Sequence, residues 1–401
     1  MNILGVWMWP QRVREYGAEH VIHSCRLIGV TDIFFLAKGL AGTTAHLSQI
    51  APPCCDRDLL RELLAAAHKE NIRVHAWLTS ASDEHYKQLH PESGRCHYTR
   101  GKDNGLISLV DDGYLDYMKR VVRELCVGYD IDGLHLDYIR YNHLLYGWSE
   151  EDLARYSAQG ADISRLRAMM DRTFVAEDKD PEYIFNAFRA GDPDAHALAR
   201  CRRQDVVRFA TRLIQAAKQE KPDLLLSAAL MPEGAYADTA FADLHYGQNY
   251  EDAAALYDVA LPMAYSKAYE KGSDWVRSVA EGTLSRGLQT VIGLHAYDGG
   301  TGVSLAQDIA SLDGSSVSGI CLFREGSCVL SVAQQQALTV YNALEKPVTR
   351  VIASAAEQTA ELDCAIHPAE SHTFPLTFTP DAVRAFTGDV EQPIYLAKER
   401  S

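Results

Sequence analysis

The chain has 401 residues, 47% hydrophobic and 23% charged, which is ordinary globular composition and fits one large α/β barrel with additions, or two average domains. Its net charge of −15 argues against a nucleic-acid or anionic-membrane partner, since either favours a basic face. No window approaches the roughly 18 apolar residues of a membrane span, and residues 1–9 lack the basic start and long apolar run of a signal peptide.

In chain order, short β-type runs recur and each is followed by a helical segment. The first run is Asn2–Trp9, with a helix around Val13–Ile28. Asp32–Ala37 and Ile72–Thr79 come next, separated by a helix over Arg57–Glu70. The segment Asp112–Tyr129 carries Leu115, Met118, Val121, Val122 and Leu125 on one stripe, so it reads as an amphipathic helix. It feeds a fourth run, Ile131–Tyr138. Leu224–Leu230, Val259–Ala264, Thr290–Ala296 and Val317–Phe323 complete the series. Eight β runs alternating with helices predict a (β/α)8 TIM barrel. A doubly wound sheet is the alternative, but no glycine-rich dinucleotide loop follows the first run.

Two regions break the rhythm. Residues 142–222 are too long for one strand-to-strand step and read as helical over Ser149–Tyr156, Ile163–Met170, Pro181–Phe188 and Ala195–Lys218. The last is the expected barrel helix, which leaves a helical insertion over about 142–200. After Leu344 the alternation stops, and Val348–Ile352, Glu361–Ala365 and Thr373–Phe378 suggest a small β-rich appendage. The expected division is a barrel over 1–345 and an appendage over 346–401. Nine cysteines, with Cys54 and Cys55 adjacent, make a poor disulfide framework. They predict reduced thiols in a cytoplasmic protein, and the lack of any CxxC pair speaks against structural zinc.

In a parallel barrel, chemistry collects at the carboxyl ends of the strands. Those ends carry Trp7 and Trp9, Lys38, His75 and Trp77, then His135, Asp137, Tyr138 and Arg140. The later strands add Met231-Pro232-Glu233, Met263-Ala264-Tyr265, then His295, Tyr297 and Asp298, and finally Phe323-Arg324-Glu325. Aromatic rings, carboxylates and an arginine on one rim suit a carbohydrate, whose C–H faces stack on rings while its hydroxyls bond to charged groups. Plainer roles are open to several of these residues. Of Trp7 and Trp9, strand alternation places one in the core. His75 and His135 can be satisfied core histidines or can orient Asp137. Glu233 can be a solvated loop residue, and Glu325 a salt-bridge partner. Asp137 stands apart, because Asp132-Gly133 already makes the turn into its strand.

Asp132–Tyr141, with Tyr129-Asp130 before it, resembles the strand-four signature of the glycosyl-hydrolase-like 10 TIM-barrel proteins. His75-Ala76-Trp77 is similar to that family's third strand, Lys221-Pro222 with Ser227-Ala228 to its approach to strand five, and Asp258–Tyr265 to its sixth strand. The likeness covers about residues 1–345. It implies a retaining or inverting glycoside hydrolase with a carboxylate pair at the barrel rim, acting on an oligosaccharide or glycoside.

On that basis Asp137 is expected as the nucleophile or stabilising carboxylate and Glu233 as the general acid/base. Tyr138, Arg140, Tyr265 and His295 are expected to fix hydroxyl groups, with Trp9 or Trp77 stacking a sugar ring. His75, His135, Tyr297 and Glu325 complete the expected substrate-binding set. No metal or cofactor is needed for this chemistry. Two rivals remain. One is a carbohydrate-binding barrel without catalysis. The other is a metal-dependent barrel hydrolase using His75, His135, Asp137 and His295, although Trp7-Met8-Trp9 stands where paired histidines are usual.

Overall fold

The computed structural model describes residues 2–296 and 302–397. Eight parallel strands form the central sheet: Ile3–Met8, Asp32–Lys38, Arg73–Thr79, Gly133–Asp137, Leu225–Leu230, Val259–Pro262, Val291–His295 and Gly319–Phe323. We refer to these as strands one to eight. Strand eight pairs with both one and seven, and strands six and seven meet through the bridges Ala260–Thr290 and Met263–Gly293, which close the ring. All eight expected runs are therefore barrel strands. Trp7, Phe34, Trp77, Leu261 and Cys321 fill the interior, and the helices cover the outside with a second, larger apolar layer. Among the described residues no helix is long and apolar enough to cross a membrane.

Local chemistry fixes how strand four is entered. Helix Asp112–Gly128 starts at Asp111, whose carboxylate accepts the Tyr114 N–H at 2.7 Å. Asp132 then accepts the Val74 N–H at 2.7 Å and tethers the incoming strand to its neighbour. At Gly133 a Cβ would stand 2.2 Å from Nδ1 of His75, so only glycine lets that imidazole lie inside the barrel.

Between strands four and five lie helices Glu150–Ala158, Ile163–Phe174, Tyr183–Arg189 and Pro193–Glu220. The expected insertion is present and has its own apolar core around Trp148, Tyr156, Leu166, Ile184 and Leu198. A hairpin of Gly94–His97 and Gly101–Ile107, between strands three and four, had no counterpart in the sequence reading.

The largest departure follows strand eight. No helix comes after it; the chain runs into strands Val329–Gln334 and Ala337–Asn342. These pair with Ser371–Pro375 and Ile394–Ala397 in one four-stranded sheet. Val348–Ala355, Gln358–Ile366, Ala382–Thr387 and Val390–Gln392 form another, and the two enclose an apolar core. The β-rich unit thus opens at Val329, ahead of the expected boundary at 345. Its first hairpin turns at Gln335, with φ 52°, and lacks the Asn-Gly or Asp-Gly pair that announces such a turn. The sheet packs against helices Ala18–Ile28 and Gly302–Ser311, in the place of an eighth barrel helix.

Glu325 fastens this arrangement. It is 1% exposed, pairs with Arg12 of the first helix, Pro10–Tyr16, at 2.8 Å and accepts the Tyr341 hydroxyl at 2.7 Å. It does not belong to the substrate-binding set; it is the salt-bridge partner that joins barrel and sheet. Glu325→Gln leaves a buried guanidinium without its counter-charge, and loss of about 3–5 kcal/mol is expected. Urea unfolding checks this, and a change below about 0.5 kcal/mol, typical of an uninvolved surface site, would contradict the structural role.

Candidate active site

Strand four ends at Asp137 because Tyr138 turns the chain, with φ 54° in the left-handed region. That conformation costs a residue with a Cβ about 1–2 kcal/mol. The turn is held by the Asp137 carboxylate itself, whose Oδ1 accepts the Tyr138 N–H at 2.7 Å. Its Oδ2 accepts the Trp77 indole N–H at 3.1 Å. Both oxygens are thereby oriented, on a side chain almost wholly out of water. Burial pushes the Asp137 carboxyl above its usual range, and Arg140, the Tyr138 N–H and Trp77 pull the other way without cancelling it.

Asp137 faces a cavity of about 720 Å³. Its walls are rings: Trp7 at the floor, with Trp9, Trp77, Tyr138, Tyr265 and Phe323 around it. Tyr265 stacks on His295 at 5.3 Å and on Phe323 at 5.7 Å, a continuous aromatic wall across strands six to eight. Gly293 gives Trp7 its room, since a Cβ there would stand 2.9 Å from the indole. Trp9 is half-buried and lies under the Arg324 guanidinium, 3.7 Å from the ring centroid.

Glu233 lies beyond strand five on the short turn Pro232–Ala235 and is buried. It is not among the residues lining the cavity. Tyr269 donates to its Oε2 at 3.4 Å, and Tyr246 hydrogen-bonds the same carboxyl. Burial raises this carboxyl too, against the opposing pull of those hydroxyls and of Arg140. The hydroxyls that meet it belong to Tyr246 and Tyr269. Gly234 permits the packing, because a Cβ there would meet the Tyr250 ring at 2.2 Å. Arg140 carries its charge between the two carboxyls, its guanidinium set over the rings of Tyr138 and Tyr246.

Two expected substrate ligands lie below the rim. His135 has Nε2 occupied by the Trp7 N–H at 3.1 Å and Nδ1 on Ser227 Oγ at 2.9 Å. Burial holds it well below the ordinary histidine range, so it is a neutral core group that donates from Nδ1. His75 sits nearer the amino end of the barrel, hydrogen-bonded to Asp32 at 2.8 Å and stacked on Phe34. Neither lines the cavity, which also takes both out of the metal set that joined them to Asp137 and His295. Lys38 is likewise structural, buried in a 2.9 Å ion pair with Asp83. Tyr297 and Asp298 lie outside the described residues.

The sequence reading passed over the loop between strand two and helix Leu59–Lys69. Gly39, Leu40, Ala41, Thr43, Thr44, Ala45 and Cys54 from this loop line the cavity, together with Gln11 and Arg14 of the first helix. Backbone bonds from Thr44 to Pro52 and from Cys54 to Thr44 hold it in shape. Its length was the available signal, since so long a connection at a barrel's carboxyl end is commonly functional.

The glycosyl hydrolase-like 10 family matches residues 49–284. No curated protein matches the chain. Among solved structures, the glycoside hydrolase domain of PgaB (BpsB) from Bordetella bronchiseptica is similar, with a TM-score of 0.63 at 14% identity, over 81% of this chain and 94% of that one. The catalytic domain of beta-amylase from Paenibacillus polymyxa gives a TM-score of 0.58 at 10% identity, over 80% and 92%. Beta-galactosidase from Marinomonas ef1 gives 0.57 at 14%, over 80% and 54%. At these identities the likeness establishes the barrel fold.

One consequence concerns Asp137 directly. Trp77→Phe removes a hydrogen bond to its charged form, so the Asp137 titration should move further up. Carboxyl NMR titration reads this, and an unchanged or lower midpoint would deny that the indole holds the carboxylate.

Proposed function

The chain belongs to the glycosyl hydrolase-like 10 family, and on that premise we propose that it is a glycoside hydrolase whose chemistry centres on Asp137. The observation that carries this is the cavity: among its described lining residues Asp137 supplies the one carboxylate, fixed through both oxygens and surrounded by rings suited to sugar faces. Cleaving a glycosidic bond needs an acid to protonate the leaving oxygen and a second carboxylate to attack, or to activate water. Asp137, with Trp77, the Tyr138 N–H and Arg140 favouring its charged form, is the nucleophile or the carboxylate that stabilises the oxocarbenium-like transition state. Glu233 is the general acid/base, and its burial favours holding a proton closer to neutral pH. Trp9 and Tyr265 stack the sugar, while Tyr138, Arg140 and His295 contact its hydroxyls. A cytoplasmic location goes with this proposal and is supported by nine cysteines that all stand as free thiols.

One observation favours a second reading. Because Glu233 does not line the cavity, the same walls could serve a carbohydrate-binding barrel that does no chemistry. A panel of aryl-glycosides and oligosaccharides separates the two, since the hydrolase releases product and the binding barrel only retains ligand.

Asp137→Asn should lower turnover by at least ~100-fold without lowering the melting temperature at pH 7. The sign follows from the raised carboxyl. Its stabilising contribution is complete below the unfolded value of about 3.9 and is lost as pH rises through the higher folded value. At neutral pH asparagine therefore removes a desolvated charge and in exchange gives up one of the two acceptors, for the Trp77 or the Tyr138 N–H, so that stability changes little. Near-normal activity in this variant would reject the assignment. Glu233→Gln should show the same loss, and activity surviving there would take the acid role from Glu233.

A further inference from the structure

We infer that the cavity takes an acidic glycan, with a sugar carrying a carboxylate or sulfate held against Arg140. The inference deepens the hydrolase proposal and rests on it for the sugar, while the charge preference stands on the lining residues alone. The protein has 54 acidic against 39 basic residues. Among the described residues its cavity lining reverses that balance, with Arg14 and Arg140 against one carboxylate, Asp137.

Arg140 is the stronger indication. It is half-buried, and its Nε has no hydrogen-bond acceptor among the described residues. No carboxylate there pairs with it; Asp137 and Glu233 feel its charge, yet each is engaged elsewhere, by Trp77 and Tyr138 or by Tyr246 and Tyr269. Tyr138 and Tyr246 hold the guanidinium by their faces, at 5.2 and 5.6 Å, and with Nε buried it is the two terminal nitrogens whose in-plane N–H groups are left to a ligand. The guanidinium acts on both carboxyls through space, with no ion-pair contact to either among the described residues. A planar, oriented one is suited to bidentate contact with a carboxylate or sulfate.

Arg14, also in the cavity lining, has an exposed ion pair of little energetic weight with Glu15 at 3.8 Å.

The test is calorimetric binding of three matched oligosaccharides to the full chain. One carries a uronic acid, one is its carboxyl-reduced neutral counterpart, and one is sulfated at the same position. The acidic ligands should bind roughly tenfold or more tightly than the neutral one, and the preference should shrink as salt rises. Whichever acidic ligand binds tighter identifies the anion. In Arg140→Gln the acidic preference should collapse towards equality. In Arg14→Gln, at an exposed site that leaves folding unaffected, it should fall in part. Equal binding of all three ligands, or a preference that survives both substitutions, overturns the inference. Acidic ligand bound but never cleaved would leave the inference standing and remove the hydrolase proposal. Neutral glycosides cleaved without acidic preference would do the reverse.

Discussion

Taking the Asp137 carboxylate out of water is the constraint around which the upper barrel is arranged. Desolvation disfavours its charge, and the compensation comes from separate parts of the chain: an indole on strand three, a backbone N–H at the turn, and a guanidinium two residues further. None of these donors can be moved independently, since each is fixed by the pairing of strands three and four. The register that sets Thr79 beside Asp137 also sets Trp77 beside His135, so the indole rises one step below the carboxylate and reaches it with its N–H.

The polar groups beneath follow the same logic. Trp7, His135 and Ser227 form one hydrogen-bonded string across the barrel, and Asp32 with His75 forms another nearer the amino ends. Both ring nitrogens of His135 are bonded within the barrel and burial keeps it neutral, whereas His75 bonds Asp32 through Nε2 and its Nδ1 has no partner among the described residues. These strings spend their polar capacity on one another and leave the rim as the place where polar groups face open space. Stability and chemistry are thus separated by height along the strands.

A second economy lies on the outside. The sheet that begins at Val329 covers the seam an eighth helix would cover, and the bond from Ser24 to the Ala369 carbonyl ties it to the helix beside it. Through Glu325 the same sheet reaches the segment after strand eight and the first helix, which carries Arg14 on its way past the cavity. The appendage therefore braces one wall of the cavity without entering it. The helical insertion after strand four closes on its own apolar core, so its interior is largely independent of the barrel's.

Strand positions, the insertion and the strand-four carboxylate were legible in the sequence, because periodicity and turn residues are local properties that side chains express wherever they stand. Alternation set Trp77 and Asp137 at strand ends for the same reason, and both line the cavity. It could not tell rim from interior: His75, His135 and Glu325 have the residue types of a site, yet their partners Asp32, Trp7 and Tyr341 lie 43, 128 and 16 positions away. Nor could it reveal that Glu233 turns into a tyrosine cage, or that Arg14 and the loop after strand two complete the cavity wall. Only closure of the ring decides which distant groups meet, since hydrogen bonds and burial depend on distance in space and periodicity records distance along the chain.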